Sequence, residues 1–117
     1  MESILTTIKK LLGITEEYKH FDSDIIVHIN MVLMTLNQIG IGPDEPYVIT
    51  DEKNTWGDFL QDVKNLEAVK TYIYLKVRLA FDPPANSSLI EAFNRQITEL
   101  EWRLNVMAET KSKPKED

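Results

Sequence analysis

The chain has 117 residues, of which 43% are hydrophobic and 27% charged, with a net charge of −6 and no cysteine. That length suits one hydrophobic core, the acidity opposes sequence-independent binding along a phosphate backbone, and the lack of cysteine excludes a disulfide framework, a thiolate nucleophile and a thiolate-bound metal. No apolar run approaches the roughly 18 residues of a membrane span, since even residues 69–81 are interrupted by Lys70, Lys76 and Arg78.

In chain order, Ser3 is placed to cap a first helix that runs to Leu12, with Ile4, Leu5, Ile8, Leu11 and Leu12 on its apolar face and Gly13 as a left-handed stop. Lys9 and Lys10 follow the apolar residues, the wrong order for a secretory signal, so the segment is expected to fold. Residues 14–21 read as a connection. Asp22 or Ser23 then caps a second helix that ends at Ile39 before Gly40. Its stripe of Ile25, Ile29, Val32, Leu36 and Ile39, widened by Ile26 and Leu33, makes it a core member; His28, Asn30, Asn37 and Gln38 lie off centre.

Gly40, Gly42, Pro43 and Pro46 break the helical pattern and open the longest irregular stretch, in which Tyr47–Thr50 suits a short extended segment. Acidic charge concentrates here: residues 44–62 carry Asp44, Glu45, Asp51, Glu52, Asp58 and Asp62 against Lys53 alone. An exposed, solvated loop accounts for this composition; phosphate mimicry, cation chelation and the lining of a DNA channel are the competing readings. Thr55 followed by Asp58 resembles a capping box for a short helix that carries Trp56, Phe59, Leu60 and Val63, with Trp56 and Phe59 as its core anchors.

Asn65 starts a fourth helix that Asp82-Pro83-Pro84 must end at Phe81, because proline lacks the amide donor and disfavours helical geometry in the residue before it. Leu66, Val69, Ile73, Val77 and Ala80 form its stripe, with Tyr72, Leu75 and Leu79 alongside. Ser88 with Glu91 suggests a second capping box, starting a fifth helix at Leu89 that extends to about Glu109. Ile90, Phe93, Ile97, Leu100, Leu104 and Met107 alternate spacings of three and four, one continuous seam for the fourth helix to cover. The architecture expected is all-α: a compact bundle of about four to five helices with a long C-terminal helical hairpin and one irregular loop. Residues 1–110 are expected to form a single helical domain and residues 111–117, charged and without apolar side chains, a mobile tail.

Trp102 lies away from the seam, near Thr98 and Val106, on a helix edged by Glu91–Arg95 and Glu99–Arg103 pairs. This marks Trp102, Val106, Arg95 and Arg103 as a candidate subunit interface; a satellite core contact for Trp102 is the competing explanation. Elsewhere the chemistry is sparse. His20 and His28, with Asp22 and Asp24 nearby, lack the converging spacing of a metal site, and Asp24 is better placed to pair with His28 along the helix. There is no phosphate-binding glycine loop, no nucleophile elbow and no serine, histidine and carboxylate frame, so no catalytic, cofactor-binding or metal residue is proposed.

Four strings together resemble the head-tail connector proteins of tailed phages, and are most similar to prophage proteins of Gram-positive hosts. They are Ile8-Lys9-Lys10-Leu11-Leu12-Gly13-Ile14, Met34-Thr35-Leu36-Asn37-Gln38-Ile39-Gly40, residues 70–79 with Phe81-Asp82-Pro83-Pro84, and Asn94-Arg95-Gln96-Ile97 with residues 99–104. The resemblance covers about residues 4–108. It implies a non-enzymatic virion protein, a helical subunit that forms a ring of about twelve copies between the portal protein and the next tail-side connector. DNA would pass through that ring without sequence-specific binding. Contact surfaces vary within the family, so no site residue is transferred by position. The rival reading is a dimeric helical adaptor or regulator acting through its last helix, with an accessory enzyme as a weaker third.

Overall fold

Local chemistry sets most helix boundaries in the computed structural model, which describes residues 2–61 and 65–112, the last two by backbone alone. Helix α1 (Ile4–Leu11) begins where Ser3 Oγ accepts from the Thr6 amide at 3.2 Å, and the chain leaves it through Gly13 at φ +81°. Helix α2 (Asp22–Ile39) ends as expected at Gly40, φ +102°. It does not start as expected: Phe21 holds the cap position without a side-chain bond, and Asp22 does not cap because its Oδ1 faces Lys9 Nζ at 2.8 Å.

The capping box of α3 (Trp56–Phe59) forms reciprocally, with the Asp58 amide donating to Thr55 Oγ1 and the Thr55 amide to Asp58 Oδ2. Helix α4 (Leu66–Phe81) stops at Asp82, ahead of the proline pair. Helix α5 (Ser87–Ser112) starts earlier than expected, because Asn86 Oδ1 accepts from the Ser88 amide at 2.8 Å; Asn86, rather than a Ser88–Glu91 box, therefore caps it. It also continues past Glu109, taking the first two residues of the expected mobile tail into the helix. Residues 113–117, with Asp62 and Val63 in the acidic stretch, lie outside the described residues.

Helix α4 is the centre of the bundle, packing against α2 on one flank and α5 on the other, while α1 lies against α2 and α4. The heptad seam is borne out: Ile97 and Leu104 are buried with Ala108, and Ile90, Phe93, Leu100 and Met107 are half-buried. Two apolar positions are not. Ala80 is exposed, and Leu11 points outward because α1 turns Thr6, Thr7 and Lys9 inward beside Ile4, Leu5 and Ile8. Leu104, fully enclosed, is thus the seam position most sensitive to truncation, and Leu104→Ala should cost about 2–5 kcal/mol, against a smaller loss for half-buried Leu100→Ala. Urea denaturation measures both, and equal losses would place the centre of the seam elsewhere.

The irregular stretch before α3 is held by asparagines instead of a strand ladder. Asn30, projecting from α2, donates to the Ile49 carbonyl at 3.0 Å and accepts from its amide at 2.8 Å, as a neighbouring strand would. Asn37 donates to the carbonyls of Pro43 and Asp44, and Asn54 Oδ1 accepts from the Thr50 amide at 2.8 Å. The extended segment expected at Tyr47–Thr50 consequently pairs with side chains; among the described residues, β-type pairing is confined to a bridge between Ser3 and Thr55. Gly42, at φ +94°, is so close to the Phe59 ring that a Cβ there would come within 2.5 Å of it.

Candidate subunit interface

The seam of α5 faces α4, so the opposite side of the same helix faces outward, and this is where Trp102, Val106 and Arg95 sit. Trp102 is 68% exposed and Val106 40%, which removes the satellite-core explanation for the tryptophan. Arg103 lies at the edge of that face with its guanidinium 2.8 Å from Glu99 Oε1, the i,i+4 pair expected. Its partner pair does not form: among the described residues no Glu91–Arg95 bridge within 4 Å is present, so Arg95 stands exposed without it. Three of the four candidate residues therefore share one outward face, and the fourth borders a shallow hollow between α4 and α5 lined by Thr71, Gln96, Glu99 and Leu100.

A second outward apolar face was not singled out from the sequence. On α2, Val27, Met31 and Met34 point away from the core, each more than half exposed, and Val48 of the irregular stretch joins them. With Asn30, Pro46 and Tyr47 they line a groove of about 280 Å³. The signal was present: Val27, Met31 and Met34 recur at helical spacing away from the inner stripe, and a second apolar row of that kind is normally covered. Reading the inner stripe alone hid it.

Between α4 and α5, the Tyr72 hydroxyl donates to Glu101 Oε2 at 2.7 Å. Burial, and then the Glu101 carboxylate, hold the Tyr72 hydroxyl well above its ordinary value of 10. Because the folded state keeps this proton more firmly than the unfolded chain, its contribution is complete below pH 10 and is lost as the pH climbs above that value. Tyr72→Phe should therefore cost about 1 kcal/mol at neutral pH and make the alkaline loss of stability shallower, which melting temperatures across pH 7–11 would reveal.

The remaining chemistry is structural. His20 packs against the rings of Tyr18 and Phe21, and His28 against Phe81 instead of forming the expected pair with Asp24. Among the described residues no group of three or more histidines and carboxylates is placed to hold a metal. Asp44, Glu45, Glu52 and Asp58 are exposed, as a solvated loop requires, while Trp56 and Phe59 are buried core anchors as expected. Among the described residues no helix is long and apolar enough to cross a membrane.

Val27, Met31, Met34 and Val48 on one outward face and Trp102 with Val106 on another leave this helical bundle with exposed apolar surface of the kind that marks protein-association subunits. A family model described as phage connector protein matches residues 4–111, and the chain belongs to that family. It is accordingly a phage structural connector protein; the family is structural and non-enzymatic in kind, and its membership implies a virion component that works with other head and tail proteins. Neither a curated protein nor a solved structure matches the chain.

Proposed function

We propose that the chain is a head-tail connector subunit that assembles into a ring of about twelve copies beneath the portal of a tailed phage or prophage of a Gram-positive host. It joins the portal protein to the next tail-side connector, has no enzymatic role of its own, and lets DNA pass through the ring without reading its sequence. The chain acts as one domain to the end of α5 at Ser112, and the charged residues 113–117 follow it. The observation that carries this reading beyond family membership is the outward face of α5, where Trp102 and Val106 are exposed in the single subunit and Arg95 stands beside them. Aromatic side chains at this exposure are the usual anchors of subunit contacts. Net acidity, concentrated in the loop before α3, suits a protein that surrounds DNA without adhering to it.

Electron microscopy of the chain mixed with its portal tests the role: a ring of density below the portal is expected, and a particle of two subunits would favour the dimeric adaptor. Trp102→Ala tests the surface. It should change stability by no more than about 0.5 kcal/mol while lowering the yield of tailed particles roughly tenfold or more. Circular dichroism and complementation of a deletion report the two effects separately.

A further inference from the structure

We infer that the groove on the outer side of α2 is the receiving half of the subunit contact, and that its occupant is the Trp102 face of α5 from a second copy of this chain. The inference rests on the connector reading and goes beyond it by naming the matching surface.

Both are outward faces of helices that pack on α4, one on α2 and the other on α5, so the two are different surfaces of the subunit. Two different faces that meet from copy to copy make a heterologous contact, the kind that closes into a ring when the rotation between neighbours allows it. Their shapes are complementary. One is a groove lined by Val27, Met31, Met34, Pro46, Tyr47 and Val48, and the other is a projecting tryptophan with Val106 one turn along. Val27 to Met34 spans two helical turns, about 10 Å, as does Arg95 to Trp102.

The charges match in the same register. Asp44 and Glu45 are exposed immediately beside Pro46 at the end of the groove, and the outward face of α5 offers Arg95, which has no salt bridge to Glu91. Of the acidic residues on α5, Glu99 is held by Arg103 and Glu101 by the Tyr72 hydroxyl, Glu91 lies a turn further from Trp102 than Arg95 does, and Glu109 lies beyond Val106, towards the other end of the helix. With the N-terminal end of that α5 directed towards the loop, seating Trp102 among Met31, Met34 and Val48 brings Arg95 to Asp44 and Glu45. Among the described residues neither apolar face has a partner inside its own subunit, and each supplies what the other lacks.

Because the chain has no cysteine, disulfide trapping reads the contact directly. Met31→Cys and Val106→Cys are made singly and together, introduced by complementation into tailed particles, and oxidised; the purified chain at high concentration is treated in parallel. The double variant should give a ladder of cross-linked oligomers, while each single variant gives none. In the same particles Arg95→Glu should lower the ladder roughly two- to fivefold, the scale of an exposed ion pair, and Glu45→Arg added to it should restore the yield. Incorporation of the double variant without any ladder overturns this contact and leaves the connector role standing, whereas a chain absent from particles and unlinked in solution overturns both. Dimers from Val106→Cys alone would show an isologous α5 contact, and cross-links from Met31→Cys to another virion protein would show a different occupant; either result overturns the proposal.

Discussion

Trp56→Ala is expected to cost about 3–5 kcal/mol, a large share of the stability of a domain of this size. The side chain is fully buried, and its Nε1 donates at 2.9 Å to Thr7 Oγ1, whose own hydroxyl donates to the Ser3 carbonyl at 2.7 Å. Around it the backbone is tied to the start of α1: the Ile4 amide donates to the Asn54 carbonyl at 3.0 Å and the Trp56 amide to the Glu2 carbonyl at 3.1 Å. Lys70 Nζ stands 5.6 Å from the ring centre. Truncation thus opens a cavity and also loosens the junction between α1 and the irregular stretch. Trp56→Phe separates these effects, since it retains much of the packing and loses the indole hydrogen bond, for about 1–2 kcal/mol. Guanidinium unfolding of both variants provides the comparison, and similar losses would mean that the hydrogen bond outweighs the cavity.

Lys9→Met should lower stability by about 3–5 kcal/mol, the cost of breaking a buried pair by removing one partner. Lys9 is 2% exposed, and its ammonium has three contacts: the Glu16 carbonyl at 3.1 Å, the Tyr18 carbonyl at 2.7 Å and Asp22 Oδ1 at 2.8 Å. The two carbonyls accept hydrogen bonds from the ammonium, and Asp22 Oδ1 supplies its countercharge. The lysine fastens the connection at residues 14–21 to α1 and to the first turn of α2, so methionine preserves volume but strands two carbonyls and a carboxylate. Replacing both partners, as in Lys9→Met with Asp22→Leu, should cost less than the single change because no charge is left unpartnered. Thermal melts of the single and double variants check this, and a double variant no better than Lys9→Met would show that the two carbonyls matter more than Asp22.

Helix ends and the seam were legible because their causes lie within a few residues of each other in the chain. Ser3, Gly13, Gly40, the Thr55–Asp58 box and Pro83-Pro84 act through neighbours no more than four positions away, and the seam of α5 repeats along one helix. The candidate site was legible in part for the same reason. Helical phase alone places Trp102, Val106 and Arg95 opposite Leu104, and the exposures agree.

What only the tertiary structure decided concerns which side of an element meets another. Leu11 and Lys9 are both on α1, and residue type favours burying the leucine; the lysine is enclosed because two carbonyls and Asp22 come to it from the next segment. Asn30 and Ile49 are nineteen residues apart, and local pattern has no term for a side chain that stands in for a strand. Asn86 displaced Ser88 as a cap because the chain leaving the proline pair turned two residues sooner into helical geometry, a choice between nearby capable residues. The apolar outer face of α2 follows the same logic. Sequence shows apolar residues on more than one side of the helix, but three-dimensional packing shows which side α4 and α1 cover and which is left open, since burial is a property of neighbours brought together by the fold.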